Sequence, residues 1–124
     1  MIPSRLALLV YGIILALMVV GVAEAAKCSD ATSAQDCSVT IEKGEHCLWC
    51  ADKNRCVTPS SNNADNKCYY PLASCITATD KKLCKRGQEI TSSLLCSWCT
   101  GPGKPSKCLR RGVSAGPGYN CDPK

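Results

Sequence analysis

The chain lacks the residues from which a large core or a common catalytic site is built. It has no Phe, and its 124 residues include only two Trp and four Tyr. So few large apolar side chains cannot form a sizeable interior once the apolar N-terminal run is set aside. His46 is the single histidine, and the carboxylates Asp30, Asp36, Glu42 and Glu45 show no pairing typical of acid/base catalysis. We therefore expect a protein that is not an enzyme.

Cysteine is what the chain has in abundance. It contains 12 cysteines in 124 residues, which is typical of small extracellular domains whose covalent bridges replace a hydrophobic core. No N-x-S/T sequence is present, so Asn-linked glycosylation is not expected.

The N-terminus has the pattern of a secretory signal peptide, residues 1–25. Arg5 precedes an apolar run over 6–22, and Ala23-Glu24-Ala25 supplies small residues at the cleavage-site spacing. We expect cleavage before Ala26 and a secreted, extracellular protein. The alternative is an uncleaved membrane anchor, because the run is nearly long enough to span a bilayer. In both cases the positive N-terminus directs the cysteine-rich part across the membrane, into an oxidising compartment.

The mature part is an internal repeat. Six cysteines of each half occur in the same order: Cys28, Cys37, Cys47, Cys50, Cys56 and Cys68, then Cys75, Cys84, Cys96, Cys99, Cys108 and Cys121. Trp49 and Trp98 both lie inside a C-x-W-C sequence. An even set of cysteines can close each half as a separate unit. We predict two modules, 26–70 and 71–124, joined by a short linker over 69–74 that leaves them in contact or within a limited range of angles.

Each repeat is predicted to contain a short helix and a small antiparallel hairpin, stapled by about three disulfides. Thr32, with Gln35 after it, and Thr79, followed by Asp80, resemble helix starts, and Gly87 resembles a helix stop. Two short strands are expected around each C-x-W-C: 48–49 with 56–57, and 94–95 with 108–109. A tight turn over 52–54 joins the first pair, and a longer loop over 101–105 joins the second. The fold class is small and disulfide-rich.

The cysteine order with Cys47-Leu48-Trp49-Cys50 and Cys96-Ser97-Trp98-Cys99 resembles the PSI (plexin-semaphorin-integrin) domain, twice. The chain departs from that family in lacking a further cysteine near Thr40 and near Arg86 or Gly87. The resemblance implies a core position for Trp49 and Trp98, packed on the bridges, with contact to a ligand as the alternative. It also implies these bridges: Cys28–Cys47, Cys37–Cys68, Cys50–Cys56, Cys75–Cys96, Cys84–Cys121 and Cys99–Cys108.

The C-x-x-C pairs permit two other interpretations. A redox-active dithiol needs an exposed thiolate on a thioredoxin-type scaffold, which repeats of this size do not accommodate. A four-thiolate zinc site would need the two pairs, 49 residues apart, to converge as thiols in a compartment where thiols are oxidised. We expect neither, and hence no metal and no cofactor.

The two halves differ in charge. Residues 26–72 hold five basic and six acidic side chains, net −1, whereas residues 73–124 hold nine basic and three acidic ones, net +6. The candidate binding patch in the second half consists of Lys81, Lys82, Lys85, Arg86, Arg110 and Arg111, with Lys104 and Lys107 in the preceding loop. If these residues converge, they suit an anionic partner. The alternative is that they simply give a small protein its net charge.

These observations favour a secreted or cell-surface interaction protein that binds an extracellular protein or an anionic glycan. By resemblance, PSI modules orient neighbouring domains. Two alternatives remain open: a secreted effector, toxin or inhibitor, and a thiol-disulfide oxidoreductase. Nucleic acid is not an expected partner, because Tyr119 is the only second-half aromatic expected to be free for stacking. A membrane is expected only if the N-terminal segment is retained.

Overall fold

The computed structural model describes residues 26–124. The predicted signal peptide, its cleavage site and the alternative membrane anchor fall on residues 1–25 and lie outside the described residues. Within 26–124, every helix is too short and too polar to cross a bilayer.

The structure confirms a small disulfide-rich fold made of short helices and small antiparallel hairpins. Repeat one contains a 3₁₀ turn at Cys28–Asp30, helix α1 (Ala34–Val39) and the strands β1 (Ile41–Glu42), β2 (Glu45–His46), β3 (Leu48–Cys50) and β4 (Arg55–Val57). Strand β5 (Tyr70–Leu72) follows. Repeat two contains a 3₁₀ turn at Cys75–Thr77, helix α2 (Lys81–Lys85) and the strands β6 (Gly87–Glu89), β7 (Cys96–Gly101), β8 (Lys104–Arg110) and β9 (Asn120–Asp122).

Both helices begin at a side-chain cap. The Ser33 hydroxyl accepts a hydrogen bond from the Asp36 backbone N–H at 3.1 Å, and the Asp80 carboxylate accepts one from the Leu83 N–H at 2.9 Å. These contacts satisfy backbone donors that have no partner within the first turn. Each cap lies one residue after the threonine that the sequence suggested, at Ser33 and at Asp80. These two residues have the extended backbone that a cap residue requires.

All twelve cysteines are bridged, and every bridge lies within one repeat. The six bonds are Cys28–Cys47, Cys37–Cys56, Cys50–Cys68, Cys75–Cys96, Cys84–Cys108 and Cys99–Cys121. In each repeat the first cysteine joins the third, the second joins the fifth, and the fourth joins the sixth. Two of the six bonds, Cys28–Cys47 and Cys75–Cys96, agree with the pairing that the PSI resemblance implied. The other four pairings, Cys37–Cys68, Cys50–Cys56, Cys84–Cys121 and Cys99–Cys108, are wrong.

The hairpin register explains the correction. In the β3–β4 pair, Cys56 lies opposite Trp49, and Cys50 lies opposite Arg55. Directly opposed residues point to one face of a hairpin and their neighbours to the other, so Cys50 and Cys56 point to opposite faces and cannot bond. Cys99 and Cys108 are separated in the same way, because Cys108 lies opposite Trp98.

The two faces of each hairpin therefore receive different staples. Cys56 and Cys108 face the helix and bond to its cysteine. Cys50 and Cys99 face away and bond to the returning chain; in repeat two the partner Cys121 lies directly opposite Cys99 on β9.

The hairpin of repeat two is longer than predicted at its tip. Gly101 pairs with Lys104, so Pro102 and Gly103 alone form the turn, and the expected loop over 101–105 is mostly strand. Gly103 has a φ of +69°, which favours glycine at that position. At the other end, β7 starts at Cys96, and Leu94 and Leu95 precede it as exposed residues.

The buried interior is largely sulfur. Cysteines with other apolar side chains form three clusters: one around Trp49 in repeat one, a middle cluster formed by residues of 48–70 that Leu83 of repeat two contacts, and one in repeat two. Leu48 and Tyr70 are the large members of the middle cluster, at 0% and 3% exposed. Leu83 on α2 contacts both the middle cluster and that of repeat two. The bridges thus occupy the positions that large side chains fill in an ordinary domain.

The predicted linker is a strand shared by the repeats. Strand β5 pairs in parallel with β6, with the Tyr70 N–H donating to the Arg86 carbonyl at 3.0 Å and the Ile90 N–H to the Leu72 carbonyl at 2.9 Å. A boundary between residues 70 and 71 therefore passes through β5. The repeats are fixed to each other by backbone hydrogen bonds.

Gly87 serves this junction, although the sequence suggested a helix stop. Helix α2 ends at Lys85, and Gly87 opens β6. A Cβ at this position would come within 2.5 Å of the Leu72 Cδ1 and 2.7 Å of the Leu83 carbonyl oxygen. Only a residue without a side chain allows β5 to approach α2 so closely.

Candidate functional site

The two tryptophans, which correspond in sequence, have different surroundings. Trp49 is 5% exposed and lies in the cluster of Cys28, Cys37, Cys47 and Cys56. Trp98 contacts the equivalent cluster of repeat two but is only partly buried. The PSI resemblance implied a core position for both residues, and the structure packs Trp98 against the cluster but leaves it partly exposed.

The difference comes from one residue on the neighbouring strand. Tyr69 lies opposite Trp49 and contacts its cluster, whereas the residue opposite Trp98 is Asp122. Tyr69 and Asp122 are equivalent, because each follows the sixth cysteine of its repeat. A phenol ring covers an indole that a short carboxylate leaves accessible. Asp122 is itself 69% exposed.

Trp98 lines two clefts. The first, of about 500 Å³, is also lined by Lys81, Thr100, Asn120, Asp122 and Lys124. The second, of about 260 Å³, includes Ile76, Thr79, Ser106, Lys107 and Leu109. We name the surface formed by Trp98, Thr100, Asn120, Asp122, Lys81 and Lys124 the Trp98 face.

The β7–β9 register brings the residues of this face together. Trp98 lies opposite Asp122, and Thr100 lies opposite Asn120. Alternation of side chains along both strands places these four residues on one side of the sheet. Lys81 on α2 and Lys124 at the end of the described chain line the same cleft.

Asp122 is held in the charged state. Lys85 Nζ lies 2.9 Å from its carboxylate, and this hydrogen bond, with the charges of Lys85 and Lys81, lowers the pKa of Asp122 below its usual value. The cleft therefore contains one carboxylate that is already paired with a lysine.

The residues proposed as a basic patch have several separate partners. Arg86 Nε donates to the Cys68 carbonyl at 3.0 Å, and its Nη2 donates to the Asp65 carbonyl, so this side chain joins the two repeats. Arg110 Nε lies 2.9 Å from the Glu89 carboxylate, and Arg111 Nη2 donates to the Cys96 carbonyl at 3.4 Å. The arginines thus hold the fold together.

The lysines of the patch are differently placed. Lys85 pairs with Asp122, whereas Lys81 and Lys82 lie exposed on α2. Of the six patch residues, Lys81 is the one that lines the Trp98 cleft.

Lys104 and Lys107 contact Tyr119. Their ammonium groups lie 5.2 and 4.5 Å from the centre of its ring, and the Tyr119 hydroxyl donates to the Pro105 carbonyl at 2.9 Å. Tyr119 was expected to be free for stacking, and these contacts occupy it. Trp98, for which the sequence left ligand contact as the alternative to a core position, is the aromatic residue of repeat two that is partly accessible and lines clefts.

Glu89 was not identified as a buried carboxylate from the sequence. Glu89 is 2% exposed and accepts hydrogen bonds from the Cys75 N–H at 2.9 Å, the Ser92 hydroxyl at 2.7 Å and Arg110 Nε at 2.9 Å. The bond from Cys75, then those from Ser92 and Arg110, lower the pKa of Glu89 to about 2. All of its partners are structural, so we assign Glu89 to the framework.

Glu42 in repeat one has the corresponding role. It accepts from the Cys28 N–H at 3.1 Å. Each glutamate lies five residues after the second cysteine of its repeat, and this equal spacing is the signal that could have identified the pair.

Neither C-x-x-C closes on itself. Cys47 bonds to Cys28, whereas Cys50 bonds to Cys68, and repeat two follows the same pattern. The sulfurs of Cys28, Cys47 and Cys56 lie within 4.8 Å of one another, but each is already in a disulfide. A cysteine in a disulfide offers no thiolate for redox chemistry or for a metal.

A further groove of about 270 Å³ lies where the repeats meet. Its lining includes Val39, His46, Tyr70, Leu72 and Thr77, and it contains no lysine, arginine or carboxylate. His46 is exposed on β2, at the edge of this groove. The groove does not have the charges needed to select an anionic partner.

Comparison of the chain with protein-family models, with curated proteins and with solved structures gave no match.

Proposed function

We propose that this protein is a secreted or cell-surface interaction protein, not an enzyme, in which two PSI-like modules form one rigid body and the second binds an anionic partner. Each repeat is closed by its own three disulfides, and strand β5 fixes the angle between them. A rigid body loses little conformational freedom on binding, which favours affinity.

The proposal rests on the excess of positive charge in repeat two and on the partners of its carboxylates. Its net charge is +6, and each of its three carboxylates has a partner within the repeat. Asp80 caps α2, Glu89 is buried against Arg110, and Asp122 pairs with Lys85. The remaining lysines therefore give repeat two a positive field that can attract an anionic partner.

The bridging pattern supports a binding role over the oxidoreductase alternative. Among residues 26–124, all cysteines are in disulfides, and the two cysteines of each C-x-x-C bond to different partners. Insulin-reduction activity of the protein would contradict this part of the proposal.

The test compares two charge-reversal pairs in the protein beginning at Ala26. Lys81→Glu with Lys82→Glu changes repeat two, and Lys27→Glu with Lys43→Glu makes the same change of net charge in repeat one. All four lysines are exposed. The protein is immobilised and exposed to the extracellular fraction of its native source, and bound material is eluted with salt.

We expect the wild type and the repeat-one pair to retain the same material, with salt-dependent release, and the repeat-two pair to lose it. Equal retention by both pairs, or release that does not depend on salt, would overturn the assignment to repeat two.

A further inference from the structure

The partly exposed indole of Trp98 is the feature that the general positive charge of repeat two does not explain. Tryptophan is the side chain that can bury the most apolar area in so small a repeat, and Trp49 is buried in the core, at 5% exposed. Repeat two instead leaves Trp98 partly exposed, and the residue lines two clefts. The accessible part of its ring offers a surface on which a ligand can stack.

The polar groups around the indole indicate the kind of ligand. Thr100 and Asn120 are exposed beside Trp98 on the same side of the sheet, and they offer a hydroxyl and an amide. Asp122 offers a carboxylate, which accepts hydrogen bonds from hydroxyl groups. A pyranose ring presents an apolar C–H face for stacking and hydroxyls at its edge for such partners.

The lysines select the charge of that ligand. Lys81 and Lys124 line the same cleft as Trp98 and Asp122. Lys85 already neutralises the one carboxylate of the cleft. Ammonium groups beside a stacking surface fit a sugar that carries sulfate or carboxylate groups.

We propose that the Trp98 face binds an anionic carbohydrate, with one sugar ring stacked on the indole and its sulfate or carboxylate groups paired with Lys81 and Lys124. This inference rests on the proposed function and names the ligand class of repeat two. A single indole holds one ring, whereas a nucleic acid strand requires a row of stacking residues.

The equivalence of Tyr69 and Asp122 provides the test. Asp122→Tyr gives repeat two the residue that covers Trp49 in repeat one. Because Asp122 is 69% exposed, a larger side chain can be accommodated there. The substitution also removes a negative charge, which by itself would strengthen the binding of an anion. A loss of binding therefore reports covering of the indole or loss of the hydrogen bonds that the Asp122 carboxylate accepts, and Trp98→Leu, which keeps Asp122, separates the two.

The probes are a heparin hexasaccharide, its desulfated counterpart and polyglutamate, each titrated into the protein beginning at Ala26 with binding measured by calorimetry. We expect the sulfated sugar to bind, and Asp122→Tyr to weaken it about ten-fold or more, as loss of a stacking contact does. Asp52→Tyr, on an exposed turn of repeat one, is the matched control and should bind as the wild type does.

Folding is checked separately from binding. Trp98→Leu provides a second way to remove the indole, and thermal unfolding of both variants shows whether the repeat is intact. Two folded variants that both bind about ten-fold more weakly support the inference.

The two proposals fail in different ways. If the hexasaccharide and polyglutamate bind equally and Asp122→Tyr changes neither, the carbohydrate inference is wrong, while anion binding by repeat two stands. If no probe binds and the native extracellular material is also not retained, both proposals are wrong. Binding of the desulfated sugar as tightly as the sulfated one would overturn the role of the lysines.

Discussion

Glu89 makes the stability of repeat two dependent on pH in a defined window. Its folded-state pKa is about 2, against 4.5 for an ordinary glutamate. Because the folded value is the lower one, the carboxylate stabilises the fold fully above about pH 4.5, and the contribution is lost as the pH falls towards 2. Substitution by glutamine removes the charge while keeping the shape.

The magnitude follows from the same two values. A difference of one unit between the folded and unfolded pKa corresponds to about 1.4 kcal/mol. A pKa of about 2 in place of 4.5 therefore limits the contribution of the Glu89 charge to the free energy of unfolding to about 3 kcal/mol. Water screens part of this, because the Arg110 side chain is 53% exposed, and we therefore expect about 2 kcal/mol. The Cys75 N–H, which then lacks a charged acceptor, provides most of the loss.

The assay is chemical unfolding of the wild type, Glu89→Gln and Glu42→Gln at pH 7 and at several values down to pH 2. Glu42 is the matched control: it occupies the same position in repeat one, is more exposed, and accepts one hydrogen bond, at 3.1 Å. We expect Glu42→Gln to cost about 1 kcal/mol, as a single hydrogen bond does. The deficit of Glu89→Gln should shrink as the pH falls below 4.5.

A deficit of Glu89→Gln that stays constant from pH 7 to pH 2 would refute the reasoning. It would mean that the charge of Glu89 does not stabilise the fold and that only its shape does.

Three further outcomes follow from the packing, each measured by thermal or chemical unfolding. Trp49→Ala should destabilise the protein by about 3 to 5 kcal/mol and Trp98→Ala by clearly less, because only the first is fully enclosed; equal losses would mean that Trp98 is a core residue. Replacing Cys37 and Cys56 together by serine should cost about 2 to 4 kcal/mol, and full reduction should abolish the cooperative transition; a reduced protein with dispersed NMR signals would contradict this. Gly87→Ala should lower the free energy of unfolding by about 1 to 3 kcal/mol, because the added Cβ would clash with β5. An unchanged free energy of unfolding would show that β5 can shift without loss of stability.

The architecture could be predicted because the cysteine spacing and the internal repeat can be recognised from the order of residues alone. The repeat, the helix that carries the second cysteine and the hairpin around each C-x-W-C could all be read from it. The bridges could not, because the choice between Cys56 and Cys68 as the partner of Cys37 depends on which face of the hairpin each side chain occupies. A shift of one residue in register reverses those faces.

Strand β5 was missed because its central residue is Pro71, which is typical of a connection. Proline lacks only an N–H, and it is tolerated on an edge strand where that group faces away from the partner. The sequence between Cys68 and Cys75 therefore predicted a restricted linker, while its pairing with β6 depends on contacts made by the following repeat.

The Trp98 face was hidden by the strength of the repeat signal. Two tryptophans at equivalent positions predict equivalent roles, and both were expected in the core. The distinguishing residues, Tyr69 and Asp122, are each one residue beyond a cysteine, but their effect depends on the strand pairing that places them against the indoles. The arginines of the predicted patch were likewise assigned from charge, and their structural partners, backbone carbonyls for Arg86 and Arg111 and the buried Glu89 carboxylate for Arg110, depend on the fold.

The pairing of β5 with β6 has a hydrodynamic consequence. Backbone hydrogen bonds set the angle between the repeats, so substitutions on the surface leave that angle unchanged. The two halves should tumble in solution with a single rotational correlation time, and residual dipolar couplings from both should fit one alignment tensor. A ligand held by repeat two would then stand at a constant distance and direction from anything that contacts repeat one.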